Sequence, residues 1–159
     1  MTRLAISPDP DASLPPLGAV MDFMRLVWAV DHSLQRHSKR MASTHGVTGP
    51  QRLALRIVGR FPGITAKRLS QILNLHPSTV TCIVRGLERR KLISRTPDAR
   101  DTRRIQIGLT DKGREVDLAA EGTLESAVDN VLREEPSATI ENARHVLSRL
   151  AAVLQPPKP

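Results

Sequence analysis

The feature of this sequence that most constrains its fold is a change in the spacing of apolar residues after Arg90. Between Val80 and Leu87 the apolar residues are three or four positions apart, which is the period of an amphipathic helix. Between Ile105 and Leu109 apolar residues alternate strictly with other residues, which is the period of a strand. The chain is therefore predicted to pass from a helix into a β-hairpin.

The helix before this change is closely preceded by another short helix. Thr65 can cap the earlier helix, and Pro77 suits the first turn of the later one, where a backbone N–H is not needed. Two short helices in such close succession are typical of a helix-turn-helix. The hairpin would have residues 92–95 as its first strand and the charged residues 97–103 as its loop.

Helical periods also cover both ends of the chain. Residues 23–41 predict a first helix of about six turns, and residues 48–60 predict a second helix that begins with a capping box. Thr110 can cap a long fifth helix to about residue 135, and a sixth helix then continues to residue 154. The predicted fold is mainly α, with six helices and one β-hairpin. The proline-rich residues 1–18 are expected to form an arm, and residues 155–159 a short tail.

Positive charge is concentrated in the middle of the chain. The formal net charge is +8, and residues 51–113 alone hold 14 Lys or Arg against 4 Asp or Glu. A focused basic block is typical of a nucleic-acid surface, because neutralising phosphates releases counterions. RNA binding by base stacking is not expected, since Phe61 is the only aromatic residue of the block.

Composition and spacing exclude several other kinds of site. The single cysteine rules out an intramolecular disulfide and fits a reducing cytoplasm. The five histidines include no pair at a metal-binding spacing, and neither metal nor cofactor is expected. No nucleophile elbow, phosphate loop or dinucleotide fingerprint is present, so the chain is not expected to be an enzyme. No apolar stretch predicts a membrane span or a signal peptide, and no membrane partner is expected.

The helix over residues 77–90 has the two faces of a DNA recognition helix. When its apolar stripe is turned inward, short polar and basic side chains point outward, as entry into the major groove requires. Arg85 is the best candidate for a bidentate contact with guanine, and the alternative for the whole face is plain solvation. The candidate DNA-contacting residues of this helix are Ser78, Thr79, Thr81, Cys82, Arg85 and Arg89.

The hairpin loop carries acids beside arginines. A carboxylate can hold an arginine in one rotamer through a charge-assisted hydrogen bond, and we expect Asp98 and Asp101 to do so. Arg100 is the expected finger into a narrow minor groove, whose negative potential attracts arginine. The alternative is a solvated charged turn. The candidate DNA-contacting residues of the hairpin are Asp98, Arg100, Arg103 and Arg104.

Four short motifs carry a resemblance to a known family. They are Ser78-Thr79-Val80-Thr81, Leu87-Glu88-Arg89-Arg90, Asp98-x-Arg100-Asp101 and Leu109-Thr110-Asp111-Lys112-Gly113. In these motifs, and in helix order, the chain resembles the MarR transcriptional regulators. The family usually has Gly at the end of the recognition helix, where this chain has Lys91, and a side chain disfavours the left-handed backbone of a glycine cap.

The resemblance implies a dimeric winged helix-turn-helix protein. Residues 48–113 would form the DNA-binding domain, and residues 19–47 with 114–154 would form a helical dimerisation layer from the N- and C-terminal helices. The homodimer would bind a pseudo-palindromic operator in double-stranded DNA. Many members are repressors that small, often aromatic or phenolic, ligands release from DNA. The functional alternative is a non-regulatory architectural DNA-binding protein or a winged-helix protein-interaction module.

An effector pocket is expected between the dimerisation layer and the winged domain. Trp28, His32 and Arg56 are the candidate residues, since Arg56 could pair with a carboxylate and His32 could donate to a phenol. The alternative for Trp28 is an ordinary core position. Cys82 on the outward face of the recognition helix is either a redox-sensitive thiol or simply a small helix residue.

Overall fold

The computed structural model describes residues 17–118 and 121–154. Residues 1–16 of the expected arm and the whole expected tail therefore lie outside the described residues. The elements are α1 (Ala19–Thr44), α2 (Gly49–Arg60), α3 (Ala66–Leu73), α4 (Pro77–Arg89), β1 (Ile93–Pro97), β2 (Ile105–Leu109), α5 (Asp111–Leu118), α6 (Leu124–Glu134) and α7 (Ser137–Leu154).

The hydrophobic core lies between α2, α3, α4 and the hairpin. The apolar stripe of α4 faces inward as predicted, and Leu87 on it is fully buried, as are Leu55 of α2 and Leu69 of α3. Full burial of a leucine side chain contributes about 1.5–3 kcal/mol. The buried cluster comprises Val47, Ala54, Leu55, Val58, Ile64, Leu69, Val80, Ile83, Val84, Leu87, Leu92, Ile93 and Ile107.

The long fifth helix predicted over residues 110–135 is wrong, because this region forms two helices, α5 and α6. Gly122 has a φ of 68°. Thr123 then caps α6, its Oγ1 accepting a hydrogen bond from the Ser126 amide at 3.4 Å. A glycine with positive φ followed by a threonine cap ends one helix and begins another. The described residues thus contain seven helices rather than the six predicted.

The end of the recognition helix also differs from expectation. Lys91 adopts the left-handed backbone with a φ of 59°, although it carries a side chain. Its amide donates to the Glu88 carbonyl at 2.8 Å, and the Leu92 amide donates to the Leu87 carbonyl at 3.0 Å. This pair of hydrogen bonds is a Schellman motif, and burial of both leucines accompanies it. Packing and hydrogen bonding therefore hold Lys91 in a conformation that its side chain disfavours.

Thr110 joins the end of α4 to the start of α5. Its Oγ1 donates to the Lys91 carbonyl at 2.7 Å and accepts from the Gly113 amide at 3.0 Å, which confirms the predicted helix cap. The Thr110 amide donates to the Leu92 carbonyl at 3.1 Å. A Cβ on Gly113 would lie 1.9 Å from that same carbonyl oxygen, so only glycine allows so close an approach.

Arg52 joins the winged region to α5 and α6. Only 2% of its surface is exposed. Its Nε donates to Glu125 Oε1 at 2.6 Å, and its Nη atoms donate to the carbonyls of Val116 and Asp117 at the end of α5. One guanidinium therefore satisfies the last carbonyls of α5 and pairs with a carboxylate of α6.

The first and last helices have little core of their own. Over their described lengths neither α6 nor α7 has a buried residue, and α1 has one, Met41. Large apolar side chains are instead exposed along all three helices. We call this set the open apolar face, and it comprises Val20, Met21, Phe23, Met24, Leu26, Trp28, Val30, Leu34, Val128, Val131, Leu132, Val146, Leu147, Val153 and Leu154.

Replacing Gly113 with alanine tests the junction at Thr110. Because the new Cβ would meet the Leu92 carbonyl, we expect Gly113→Ala to lower the free energy of unfolding by about 2–3 kcal/mol, measured by urea denaturation. Gly108→Ala is the matched control, since its Cβ would meet nothing within 4 Å. We expect this control to stay within about 0.5 kcal/mol of the parent. Equal stability of the two variants would contradict the account of this junction.

Candidate nucleic-acid interface

Helix α4 separates an inner apolar face from an outer polar face. Its N-cap is His76, and Pro77 occupies the first turn as predicted. Val80, Ile83, Val84 and Leu87 are buried on the inner face. The six side chains predicted to point outward, those of Ser78, Thr79, Thr81, Cys82, Arg85 and Arg89, are all exposed. All six are therefore accessible to a partner, and their contact with DNA stays a prediction.

Two hydroxyl groups near the start of α4 already have hydrogen-bond partners. The Ser78 Oγ lies 2.7 Å from His76 Nδ1, and the Ser78 amide donates to the same nitrogen at 3.3 Å. Thr81 Oγ1 donates to the Pro77 carbonyl at 2.9 Å. The capping role of His76 was not predicted from the sequence, although a residue directly before a proline in the first helical turn is in the N-cap position.

The hairpin is formed by β1 and β2, which pair antiparallel from Ile93 with Leu109 to Pro97 with Ile105. Ile64 adds a short bridge to Ile107, an extension that the sequence did not predict. Arg95 on β1 forms an ion pair with Glu88 of α4 at 3.3 Å. The bridge and the ion pair fix the hairpin against α3 and α4.

The sequence led us to expect that the acids of the hairpin loop hold arginine side chains. This expectation is wrong. Asp98 Oδ1 instead accepts from the Arg100 amide at 2.8 Å, and Asp101 Oδ1 accepts from the Arg103 amide at 3.1 Å. The side-chain Nε2 of Gln106 donates to Asp98 Oδ2 at 2.7 Å. The reason is geometric, because an aspartate side chain bonds readily to the amide two residues ahead in a turn. The acids therefore shape the loop backbone.

These bonds also affect the titration of Asp98. The Arg100 amide, followed by the Gln106 side chain, stabilises the ionised carboxylate and holds the pKa of Asp98 below its ordinary value of 3.8. The loop geometry is therefore stabilised at neutral pH.

Five arginines on this side of the molecule are free to meet phosphates. Arg85 and Arg89 of α4 and Arg100, Arg103 and Arg104 of the hairpin are all exposed. Within the part of the chain that the structure describes, none of their guanidinium groups forms an ion pair, whereas Arg95 beside them does. Unpaired arginines carry their full charge to a partner, and so this face is suited to a polyanion.

Of the three candidate effector residues, His32 and Arg56 do not line the concavity that Trp28 lines. Trp28 is 65% exposed and lines a shallow apolar concavity of about 370 Å³ on α1, with Leu17, Met21, Met24 and Arg25. Arg56 lies elsewhere, with its Nη1 3.1 Å from Asp117 Oδ1. His32 is exposed on α1. Arg56 is therefore already paired with a carboxylate of this chain.

Residues 17–118 and 121–154 offer little for any other kind of site. No group of three potential metal ligands occurs among them. Cys82 is exposed on α4 and unpaired, as expected for the only cysteine. None of the described helices combines the length and the apolar character that crossing a bilayer requires.

Comparison with protein families identifies residues 45–104, from the end of α1 to the hairpin loop, as a match to the MarR family model. A transcriptional regulator of Methylorubrum extorquens, TtmR, is 33% identical over 88 residues, which are 55% of this chain but only 45% of TtmR. The aligned part thus spans about half the length of that relative. The transcriptional repressor MdtR of Bacillus subtilis is 26% identical over 82% of this chain and 84% of its own length.

Solved structures agree with the sequence comparisons. The S. aureus MepR–DNA complex superposes with a TM-score of 0.68 and 25% identity, covering 84% of this chain and 98% of MepR. PcaV from Streptomyces coelicolor, solved with its natural ligand, has a TM-score of 0.70 and 20% identity, covering 89% of this chain and all of PcaV. The predicted winged helix-turn-helix fold is confirmed. TtmR and PcaV are named transcriptional regulators and MdtR a transcriptional repressor, in agreement with the prediction that the chain is not an enzyme.

Titration of Asp98 tests the loop geometry. A lowered pKa in the folded protein means that this carboxylate stabilises the loop above its unfolded pKa, and that the stabilisation is lost as the pH falls through the folded pKa. Side-chain carboxyl NMR should therefore give Asp98 a midpoint below 3.8, and Gln106→Ala should raise that midpoint by removing one hydrogen bond. A midpoint at or above 3.8 in the parent protein would refute this account of the loop.

Proposed function

Because residues 45–104 match the MarR family model, we propose that this chain is a transcriptional regulator that binds specific double-stranded DNA as a homodimer. In this proposal α4 enters the major groove and the hairpin loop, as a wing, lies along the neighbouring minor groove. Residues 48–113 are the DNA-binding domain, and residues 19–47 with 114–154 form the dimerisation layer. The protein acts in the cytoplasm.

The observation that carries the proposal is the outer face of α4 beside the hairpin. Three short hydroxyl side chains lie near the start of this helix, and two unpaired arginines follow them. Short polar groups suit base edges, and arginine suits guanine or phosphate. The helix is held at its start by His76, at its end by the Schellman motif, and at its side by the ion pair of Glu88 with Arg95. A rigidly placed polar face loses little conformational entropy when it binds.

The open apolar face supports the homodimer. It runs along α1, α6 and α7, and Val20, for example, is 73% exposed. So many large apolar side chains exposed on helices are unfavourable in water and are typical of an interface. A second copy of the chain would cover the same helices from both sides, as a two-fold interface requires. Two recognition helices would then face one duplex, about one helical turn apart.

Charge substitutions in the open apolar face test the dimer. We expect Val20→Glu combined with Leu147→Glu to convert a micromolar dimer into a monomer, because two carboxylates would be buried at the interface. Leu53→Glu is the matched control, since Leu53 is as exposed as Leu147, 54%, but lies on α2. Sedimentation equilibrium measures the mass of each variant. A monomeric parent protein that still binds DNA tightly would refute the dimer proposal.

The two DNA-contacting elements should differ in their effect on specificity. We expect Arg85→Ala to cost about 1–3 kcal/mol on the operator and little on random DNA, because a bidentate base contact is lost. Arg100→Ala should weaken binding to both DNAs more evenly and reduce the salt dependence. Fluorescence anisotropy with operator and random duplexes at several salt concentrations measures both effects. Circular dichroism and sedimentation must first match those of the parent protein.

Three results would count against these assignments. If Arg85→Ala binds the operator like the parent while Arg89→Ala loses discrimination, the register of α4 in the groove is wrong by one turn. If neither arginine matters, α4 does not contact the bases. If footprinting on the protein's own promoter region gives no defined palindrome, the architectural or protein-interaction alternative replaces the regulator.

A small aromatic or phenolic ligand is the proposed effector, and release of a repressor is the proposed response. Two comparisons support this proposal: the relative MdtR is named a repressor, and the structural neighbour PcaV was solved with its natural ligand. In this chain Arg56 is half exposed and bonded to Asp117 at the end of α5. A ligand carboxylate that binds Arg56 would compete with Asp117 and so disturb the contact of α2 with α5. Trp28 and His32 on α1 remain the candidate aromatic and polar contacts.

A panel of hydroxybenzoates tests this response. We expect at least one of them to weaken operator binding, and Arg56→Ala to blunt that response more than it lowers operator affinity. Arg60→Ala is the control for the loss of one positive charge, because Arg60 is exposed one turn further along α2. If no member of the panel changes DNA binding, or if Arg60→Ala blunts the response equally, the proposed role of Arg56 is wrong.

A further inference from the structure

The outer face of α4 presents three hydroxyl groups, those of Ser78, Thr79 and Thr81. A free hydroxyl has one hydrogen to donate and two lone pairs to accept with. It can therefore bond equally to an amino group or to a carbonyl of a base, and by itself it selects neither. Once its hydrogen is used within the protein, only the accepting lone pairs remain for a partner.

Thr81 has used its hydrogen in this way. Its Oγ1 donates to the Pro77 carbonyl at 2.9 Å, and that carbonyl oxygen can only accept. The direction of the hydrogen bond is therefore fixed. Towards a partner on the exposed side of α4, the Thr81 hydroxyl presents lone pairs alone.

Ser78 is fixed through His76. The backbone N–H of Ser78 can only donate, and it points at His76 Nδ1 at 3.3 Å. Nδ1 must therefore carry a lone pair, and the ring hydrogen of the neutral imidazole must be on Nε2. The shorter contact, 2.7 Å between Nδ1 and Ser78 Oγ, then requires that the hydroxyl donates to the ring. Ser78 too is left with lone pairs alone.

We propose that Ser78 and Thr81 act as acceptors towards DNA, and so select the exocyclic amino groups of adenine or cytosine at the strand positions they contact. These amino groups are the hydrogen-bond donors that bases present in the major groove. His76 is a positioning residue, since it sets the direction of the Ser78 hydroxyl without contacting the base. The inference rests on the proposed DNA-binding function and adds the kind of base edge that the helix recognises.

Thr79 provides a contrast within the same helix. It is exposed like its neighbours, but its hydroxyl has no hydrogen-bond partner in the described part of the chain. It can donate or accept, and it should impose no preference between amino and carbonyl groups. Thr79→Val is therefore the matched control for Thr81→Val.

The first arm of the experiment needs no DNA. Nitrogen-15 correlation spectra of the histidine rings in the free protein, recorded above neutral pH, distinguish a hydrogen on Nε2 from one on Nδ1. We expect the Nε2–H form for His76. The Nδ1–H form would overturn the inference and leave the proposed DNA-binding function untouched.

The second arm measures base preference. An operator is selected from random duplexes with the parent protein, and all four bases are then tested at each strand position of a half-site. Ser78→Ala identifies the position that depends on Ser78. There we expect the parent to favour adenine or cytosine over guanine or thymine by about 2- to 10-fold, the effect of one hydrogen bond. Thr81→Val should identify a second such position, and Thr79→Val none.

Variants of His76 separate positioning from stability. His76→Ala should abolish the preference at the Ser78-dependent position. His76→Asp should keep it, because a carboxylate accepts hydrogen bonds from both the amide and the hydroxyl of Ser78. Thr65 Oγ1 caps α3 in the same way, accepting from the Arg68 amide at 3.3 Å. Thr65→Ala removes this cap and should leave the base preference unchanged. A preference for guanine or thymine, or one unchanged in His76→Ala, would overturn the inference alone. If the protein selects no duplex, the proposed function fails and this inference fails with it.

Discussion

The hydrogen bonds of the Thr110 hydroxyl are the interaction on which the proposed interface depends. This one group caps α5 through the Gly113 amide and donates to the Lys91 carbonyl at the end of α4. The end of the recognition helix, the base of the hairpin and the start of α5 therefore meet at a single point. The Leu109-to-Gly113 motif has a physical explanation here: Thr110 forms the bonds, and Gly113 allows the close contact with Leu92.

A second joint connects this interface to the helices that carry the open apolar face. Arg52 of α2 is almost completely buried, and it bonds both to the last carbonyls of α5 and to Glu125 of α6. A buried guanidinium with so many partners is costly to displace, because each lost bond leaves a desolvated charge. The joint thus connects α2, which shares the buried core with α4, to α5 and α6. In a dimer, the same joint would set the distance between the two recognition helices.

Local patterns predicted most of the fold correctly. The capping residues Thr65 and Thr110, the apolar stripe of α4 and the alternation in β2 each act over a few neighbours, so the sequence contains them directly. The break between α5 and α6 was missed because the helical spacing of residues continues through Gly122, and this spacing was given more weight than the tendency of glycine to end a helix. Lys91 was misjudged because its left-handed backbone is maintained by the burial of Leu87 and Leu92, which a single position does not reveal.

The outer face of α4 could likewise be predicted, because an inward stripe leaves only one outward set of residues. The hydrogen bonds and ion pairs around the candidate sites could not be predicted. The partners of Asp98 and Asp101 depend on the turn geometry of the loop, and the pairing of Arg56 with Asp117 joins residues far apart in the sequence. The use of His76 as a cap, and with it the direction of the Ser78 hydroxyl, also appears only when the atoms are placed.

Amide chemical-shift mapping with an operator duplex locates the DNA on the folded protein without altering any residue. We expect the largest shifts in the first turns of α4, from Ser78 to Arg85, and in the hairpin loop around Arg100. Amides of α1 and α7 on the open apolar face should change little. Shifts concentrated on α1 or α7, with α4 and the loop unaffected, would show that α4 and the hairpin loop do not bind the DNA.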